Sequence, residues 1–154
     1  MSEKGKIISL EKGEYEITDR IGEGAYGVVW EARRVADGEI FALKTVQTRD
    51  PDEKIKYPTD TVRQIAGSLR KEIAFLRRMA PEEARKNHIV PMTDCGAHEE
   101  RPVMVMMRCE NSLNRVYVQR QDMKDGGFPF DAPTLPEWLR QLAAGLKKIH
   151  SQEI

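Results

Sequence analysis

The apolar positions of this 154-residue chain change period along its length. Tyr15, Ile17 and Ile21 alternate with polar neighbours, Val28, Val29 and Trp30 form a β-branched and aromatic run, and Glu39 to Val46 (EIFALKTV) alternates again. A period of two predicts three strands. Asp37-Gly38 is a hairpin turn pair between the second and third, which places Lys44 on a strand antiparallel to the one before it. From Thr61 the spacing becomes three and four. Val62, Ile65, Leu69, Ile73 and Leu76 make the stripe of a helix lying on a sheet. Thr61-Val62-Arg63-Gln64 fits a capping box and Asp60 suits the positive helix end, so the helix is expected to begin near Thr61. Gly67 within it costs on the order of 1 kcal/mol against alanine, so packing must hold this helix more than propensity does.

The second half is less regular. Val103 to Met107 (VMVMM) is a continuous apolar run, expected as a strand buried on both faces. Thr134-Leu135-Pro136-Glu137 is a second capping box, and Trp138, Leu139, Leu142, Leu146 and Ile149 then carry a helical stripe. The remaining stretches read as connections: a loosely held arm over Met1 to Gly13 with Ile7, Ile8 and Leu10, a polar loop between Thr48 and Thr59, a polar turn over Pro81 to Lys86, and a Gly/Pro-rich loop over Lys124 to Pro133. Ser112 to Gln121 can form a short helix.

Composition narrows the function classes. The 25 basic residues balance 25 acidic ones, so no strong field points to nucleic acid or an anionic membrane. No apolar run approaches the roughly 20 residues of a membrane span, and the polar start lacks the core of a signal peptide. Cys95 and Cys109 form no disulfide framework, and a reduced, cytoplasmic home is the simpler expectation. His88, His98 and His150 are scattered, and no metal site is expected from them.

The candidate chemistry begins at Gly22, Gly24 and Gly27, spaced G-x-G-x-x-G between two strands. Glycines there let backbone N–H groups approach phosphate oxygens. A dinucleotide-binding oxidoreductase would need a helix directly after them, but VVWEARR is short, β-branched and followed by a turn. Glu72 is the only acid between Thr61 and Met79 and borders the apolar stripe, placed to reach a lysine on the sheet. The plainer readings are a solvated surface charge for Glu72 and a lysine snorkelling from an edge strand for Lys44.

Gly22-Glu23-Gly24-Ala25-Tyr26-Gly27-Val28-Val29 followed by Phe41-Ala42-Leu43-Lys44 resembles the N-terminal lobe of a protein kinase, whose pattern is G-x-G-x-x-G-x-V followed by V-A-I-K. The resemblance implies an α+β fold, a five-stranded antiparallel sheet with one major helix, followed by helices of an incomplete C-lobe. Its parts would be an arm over 1–13, an ATP-binding lobe over 14–108, and a hinge with the start of the C-lobe over 109–154. It implies ATP as ligand, with Ile21 to Gly27 covering the nucleotide and Tyr26 at the loop tip. Lys44 would contact the α- and β-phosphates and be positioned by Glu72. Val29 and Ala42 would sandwich the adenine, Met106 would be the gatekeeper, and Met107 and Cys109 would bond the adenine edge through their backbones. The reaction implied is transfer of the γ-phosphate to protein Ser/Thr hydroxyls, tyrosine being the less favoured acceptor.

The family's H-R-D-x-x-x-x-N and D-F-G motifs, which bring the catalytic aspartate and the Mg²⁺ ligands, occur nowhere in the 154 residues. The chain alone is therefore expected not to phosphorylate. The stripe over 134–151 is expected to lack its usual cover and to fray or pack on another chain. A non-catalytic module that binds nucleotide or a partner is the alternative function.

Overall fold

A computed structural model describes residues 4–24, 27–48, 56–110 and 134–151. The chain divides into two compact units, one of Met1–Pro81 with Val90–Arg108, the other of Glu82–Ile89 with Cys109–Ile154.

The first unit is a sheet and a helix. Strands β1 (Ile7–Ser9), β2 (Glu14–Gly24), β3 (Gly27–Arg34), β4 (Ile40–Thr45), β5 (Met92–His98) and β6 (Arg101–Met107) pair antiparallel in the order β1-β2-β3-β4-β6-β5. The five expected strands are thus joined by a sixth. Ile7 to Ser9, read as part of a loose arm, pair with Glu14 to Glu16, and Ile8 is buried against Tyr15 and Ile17. Three residues are too few to show a period, and the strand is held by its partner and by packing.

Alternation sorts the side chains onto two faces. Tyr15, Ile17, Ala32, Phe41, Leu43, Val103 and Val105 form the core of one face. On the other, Val46 and Met104 pack against Ile65, Ala66 and Leu69 of helix α1 (Thr59–Leu76). The stripe expected for this helix is the one it buries. Its start is different: the helix opens at Thr59 after Pro58, with no side-chain cap, so Thr61 lies inside the first turn and the expected box does not form.

Two further departures concern short elements. Pro81–Lys86, read as a polar turn, is helix α2. Proline suits the first position, where its missing N–H is not needed, and Glu82 and Glu83 in the first turn with Arg85 and Lys86 in the last match the helix dipole. Strands β5 and β6 are joined by Glu99-Glu100 alone, both residues at positive φ (49° and 64°), a two-residue hairpin with no glycine or asparagine to announce it.

Asp94, 1 % exposed, holds the sheet's first strands to its last. It accepts hydrogen bonds from the Tyr15 hydroxyl (3.0 Å), the Lys12 backbone N–H (3.0 Å) and its neighbour Cys95 N–H (2.8 Å). Lys12 Nζ also reaches the Thr93 carbonyl at 2.8 Å.

In the second unit, α2 is followed by a turn through His88 at positive φ, and helix α3 spans Thr134–Ser151. Lys148 of α3 pairs with Glu83 of α2 at 2.6 Å. Gly145 is the buried residue of α3, and a Cβ there would lie 3.1 Å from the Asn87 carbonyl oxygen. The expected short helix and loop between 112 and 133 lie outside the described residues.

Candidate functional site

Strand register brings the expected residues into two rows. Gly22 of β2 pairs with Val29 of β3, Val29 with Lys44 of β4, and Lys44 with Met104 of β6. Two residues along, Glu31 pairs with Ala42, Ala42 with Met106, and Met106 with Met92 of β5. Both rows lie on the face that carries α1, because side chains two apart share a face. Gly22, Val29, Ala42, Met92, Met104 and Met106 surround a single ammonium group in these rows, with the Glu31 carboxylate at one end of the second row.

Helix α1 crosses this face with Glu72 beside its buried stripe. Lys44 Nζ donates to Glu72 Oε2 at 2.7 Å, with the lysine side chain 21 % and the glutamate side chain 41 % exposed. The ammonium is therefore fixed yet still open to solvent on one side. A half-open pair of this kind contributes about 0–1 kcal/mol to folding, so stability alone is a weak reason for it.

The glycine hairpin has its own constraints. Gly24 pairs with Gly27 across the tip. Gly27 has φ +142°, and a Cβ there would sit 2.4 Å from the Thr45 carbonyl oxygen of β4. Its glycine identity is thus required by the chain itself, before any ligand is considered. At Gly22 a Cβ would make an ordinary 3.8 Å contact with Val29. Glu23 forms an ion pair with Arg20, whose guanidinium lies 5.9 Å from the Trp30 ring centroid, which ties the hairpin base together. Ala25 and Tyr26 lie outside the described residues.

The remaining expected residues differ in exposure. Ile21 and Met107 are partly exposed, Ala42 is buried, Val29 and Met106 are half-buried, and Cys109 is exposed in the second unit. Met107 donates its backbone N–H to the Pro91 carbonyl at 3.1 Å, so it can serve an adenine edge only as an acceptor.

Sequence reasoning passed over Glu31. Its carboxylate pairs with Arg108 at 2.7 Å and accepts the Thr18 hydroxyl at 3.1 Å, joining β3 to the segment that leaves β6. Alternation from Val29 would have placed it on the site face. Among the described residues no three His, Cys, Asp or Glu side chains gather as a metal site, and no helix is long and apolar enough to cross a membrane.

An antiparallel sheet with a glycine hairpin, and a helix carboxylate holding a strand ammonium on one of its faces, fit a kinase-like fold. The chain belongs to the protein kinase family: the family model described as Protein kinase domain matches residues 15–154. It is 31 % identical over 140 residues to Cell division control protein 2 homolog 1 of Trypanosoma brucei brucei, covering 91 % of this chain and 40 % of that protein. It is also 31 % identical over 144 residues to the serine/threonine-protein kinase ATG1c of Arabidopsis thaliana, covering 92 % of this chain and 16 % of the relative. A crystal structure of a kinase domain superposes with TM-score 0.68 at 14 % identity, covering 98 % of this chain and 38 % of that one. The chain thus spans well under half the length of each of these proteins.

Proposed function

We propose that this chain grips ATP and forms the nucleotide-binding part of a kinase that transfers the γ-phosphate to serine or threonine hydroxyls of proteins. The observation that carries this reading is the 2.7 Å contact between Lys44 and Glu72. An ammonium held by one carboxylate on a surface of small and apolar side chains can bind the charge of the α- and β-phosphates without losing its position. Val29, Ala42 and Met106 supply the apolar surface for a base.

The 154 residues contain neither of the family's motifs that bring the catalytic aspartate and the Mg²⁺ ligands. Positioning and charge neutralisation at the γ-phosphate carry most of phosphoryl transfer, so these 154 residues by themselves bind without transferring. The stripe of α3 leaves Leu139, Leu142 and Leu146 more than half exposed, which favours a second element of the reading: another chain covers this helix.

Calorimetric titration of ATP into the purified chain, with and without Mg²⁺, tests the proposal. Saturable binding is expected, weakened at least tenfold by Lys44→Met and by Glu72→Gln, and changed little by Mg²⁺. Binding that both variants retain, or no binding by the folded chain, would overturn it.

A further inference from the structure

Glu31 is held from two directions. On β2, Ile17 pairs with Ala32 and Asp19 with Glu31, so Thr18 is an extra residue in that strand. A bulge of this kind re-aims a side chain. The Thr18 hydroxyl lies 3.2 Å from the Glu31 carbonyl oxygen and donates to Oε1 at 3.1 Å, while Arg108 Nε meets the other carboxylate oxygen, Oε2, at 2.7 Å. Each carboxylate oxygen thus has its own donor, and the glutamate side chain is 24 % exposed.

The reach of this pair sets it apart from its neighbours. Arg33 of β3 pairs with Glu16 on the adjacent strand β2, and Arg34 with Asp37 and Glu39 of the turn that follows. Arg108 is the first residue after β6, and β4 stands between β6 and β3, so its side chain crosses a strand to meet Glu31. Two strand spacings are roughly 9.5 Å, which takes a long side chain to span.

The backbone at this point is tethered a second time. Arg108 follows Met107, whose N–H is bound to the Pro91 carbonyl at 3.1 Å. The chain leaving β6 is therefore held from the β5 side through Pro91 and from the β3 side through Glu31. Glu31 ends the row that runs through Ala42 and Met106, one row from Lys44 or roughly 7 Å along β4.

We propose, on the nucleotide-binding reading above, that the Glu31–Arg108 pair is a positioning device that sets the choice of base. By fixing the backbone at 107 and 108 it aims the Met107 carbonyl at the exocyclic amino group of an adenine. A guanine would bring a carbonyl oxygen to the same place, and two acceptors would then face each other without a proton between them. Lys44 acts on the phosphates, which both nucleotides share, and the pair acts on the base, which they do not.

Calorimetric titration of ATP and of GTP into the full 154-residue chain tests this. The parent is expected to prefer ATP by about tenfold or more, the scale of one well-aimed hydrogen bond against an unmatched one. Arg108→Met and Glu31→Gln should weaken ATP by about tenfold and leave GTP within about twofold, so that the preference collapses. Arg108→Lys, which keeps the charge and nearly the reach, should retain most of it. Glu16→Gln, which alters the neighbouring pair with Arg33, should leave both nucleotides unchanged. Lys44→Met should weaken both alike. Thermal midpoints of the Glu31 and Arg108 variants should stay within about 3 °C of the parent, because a half-exposed pair contributes little to folding. A parent that does not discriminate, a preference that survives Arg108→Met and Glu31→Gln, or equal weakening of the two nucleotides by these variants would overturn the proposal and leave nucleotide binding standing. Absence of ATP binding by the parent would overturn both.

Discussion

The Tyr15 hydroxyl donates a 3.0 Å hydrogen bond to Asp94 across 79 residues of chain, joining β2, next to one edge of the sheet, to β5 at the other. Both side chains are 1 % exposed. Burial, followed by the bond to Asp94 and the repulsion of its charge, raises the Tyr15 hydroxyl from 10.0 to about 12.

That shift sets an alkaline limit on stability. Ionising Tyr15 is harder in the folded chain than in the unfolded one, so its contribution is complete below pH 10 and lost as pH rises from 10 towards 12. Chemical denaturation at pH 8, 10 and 11.5 should show a steep fall for the parent chain and a shallower one for Tyr15→Phe. At pH 8 the variant should cost about 1 kcal/mol, since Asp94 keeps its two backbone donors.

Gly27 and Gly67 should respond oppositely to alanine. At Gly27 the side chain would collide with the Thr45 carbonyl at 2.4 Å from a left-handed backbone, and a loss of about 3 kcal/mol is expected. At Gly67 it would enter open space on a helix, for a gain on the order of 1 kcal/mol. Thermal melts of the two variants, compared with the parent, check both signs.

The hairpin Glu99-Glu100 invites a stabilising change. Glu99 is engaged by Lys6 at 2.7 Å and by Arg101, while Glu100 has no partner among the described residues and sits at φ 64°. A non-glycine residue in this region costs roughly 1 kcal/mol or more. Glu100→Gly should therefore raise the denaturation midpoint, with a gain on the order of 0.5 kcal/mol after the extra unfolded-state freedom of glycine.

Helix α3 should loosen in acid from its first turn. Glu137 accepts from Arg140 at 2.7 and 2.9 Å and from Gln141 at 2.7 Å, and these partners, Arg140 first, lower its carboxyl from 4.5 to about 2. Its folded value is depressed, so its support is present above pH 4.5 and fades as pH falls towards 2. Amide exchange over 134–151 should accelerate across that window in the parent chain, and much less in Glu137→Gln.

What could be read beforehand was whatever repeats. Val62 to Leu76 showed the helix, Glu39 to Val46 the lysine strand, and Val103 to Met107 the inner strand, because burial on a face imposes a period. Glu72 was legible as a carboxylate bordering a buried stripe, and it meets Lys44. β1 was not, since three residues carry no period and their hold comes from β2. Asp94 was silent because an aspartate in Thr93-Asp94-Cys95 looks like any surface acid until Tyr15 and Lys12 arrive from far along the chain. The acid-first, base-last order of Pro81–Lys86 was a helix signal present and unread.

The strand order carries an implication for synthesis. β5 leaves the ribosome before β6, yet its place in the sheet is beyond β6, which pairs with β4. β1 to β4 are a meander that can assemble from neighbouring segments as they emerge. Met92 to His98 must wait for Arg101 to Met107 to dock, and the Asp94 carboxylate remains without its Tyr15 donor until then. The nascent chain therefore holds an open sheet edge at β4 for at least the sixty or so residues between Thr45 and Met107, the interval in which a chaperone or a second nascent chain has most to bind.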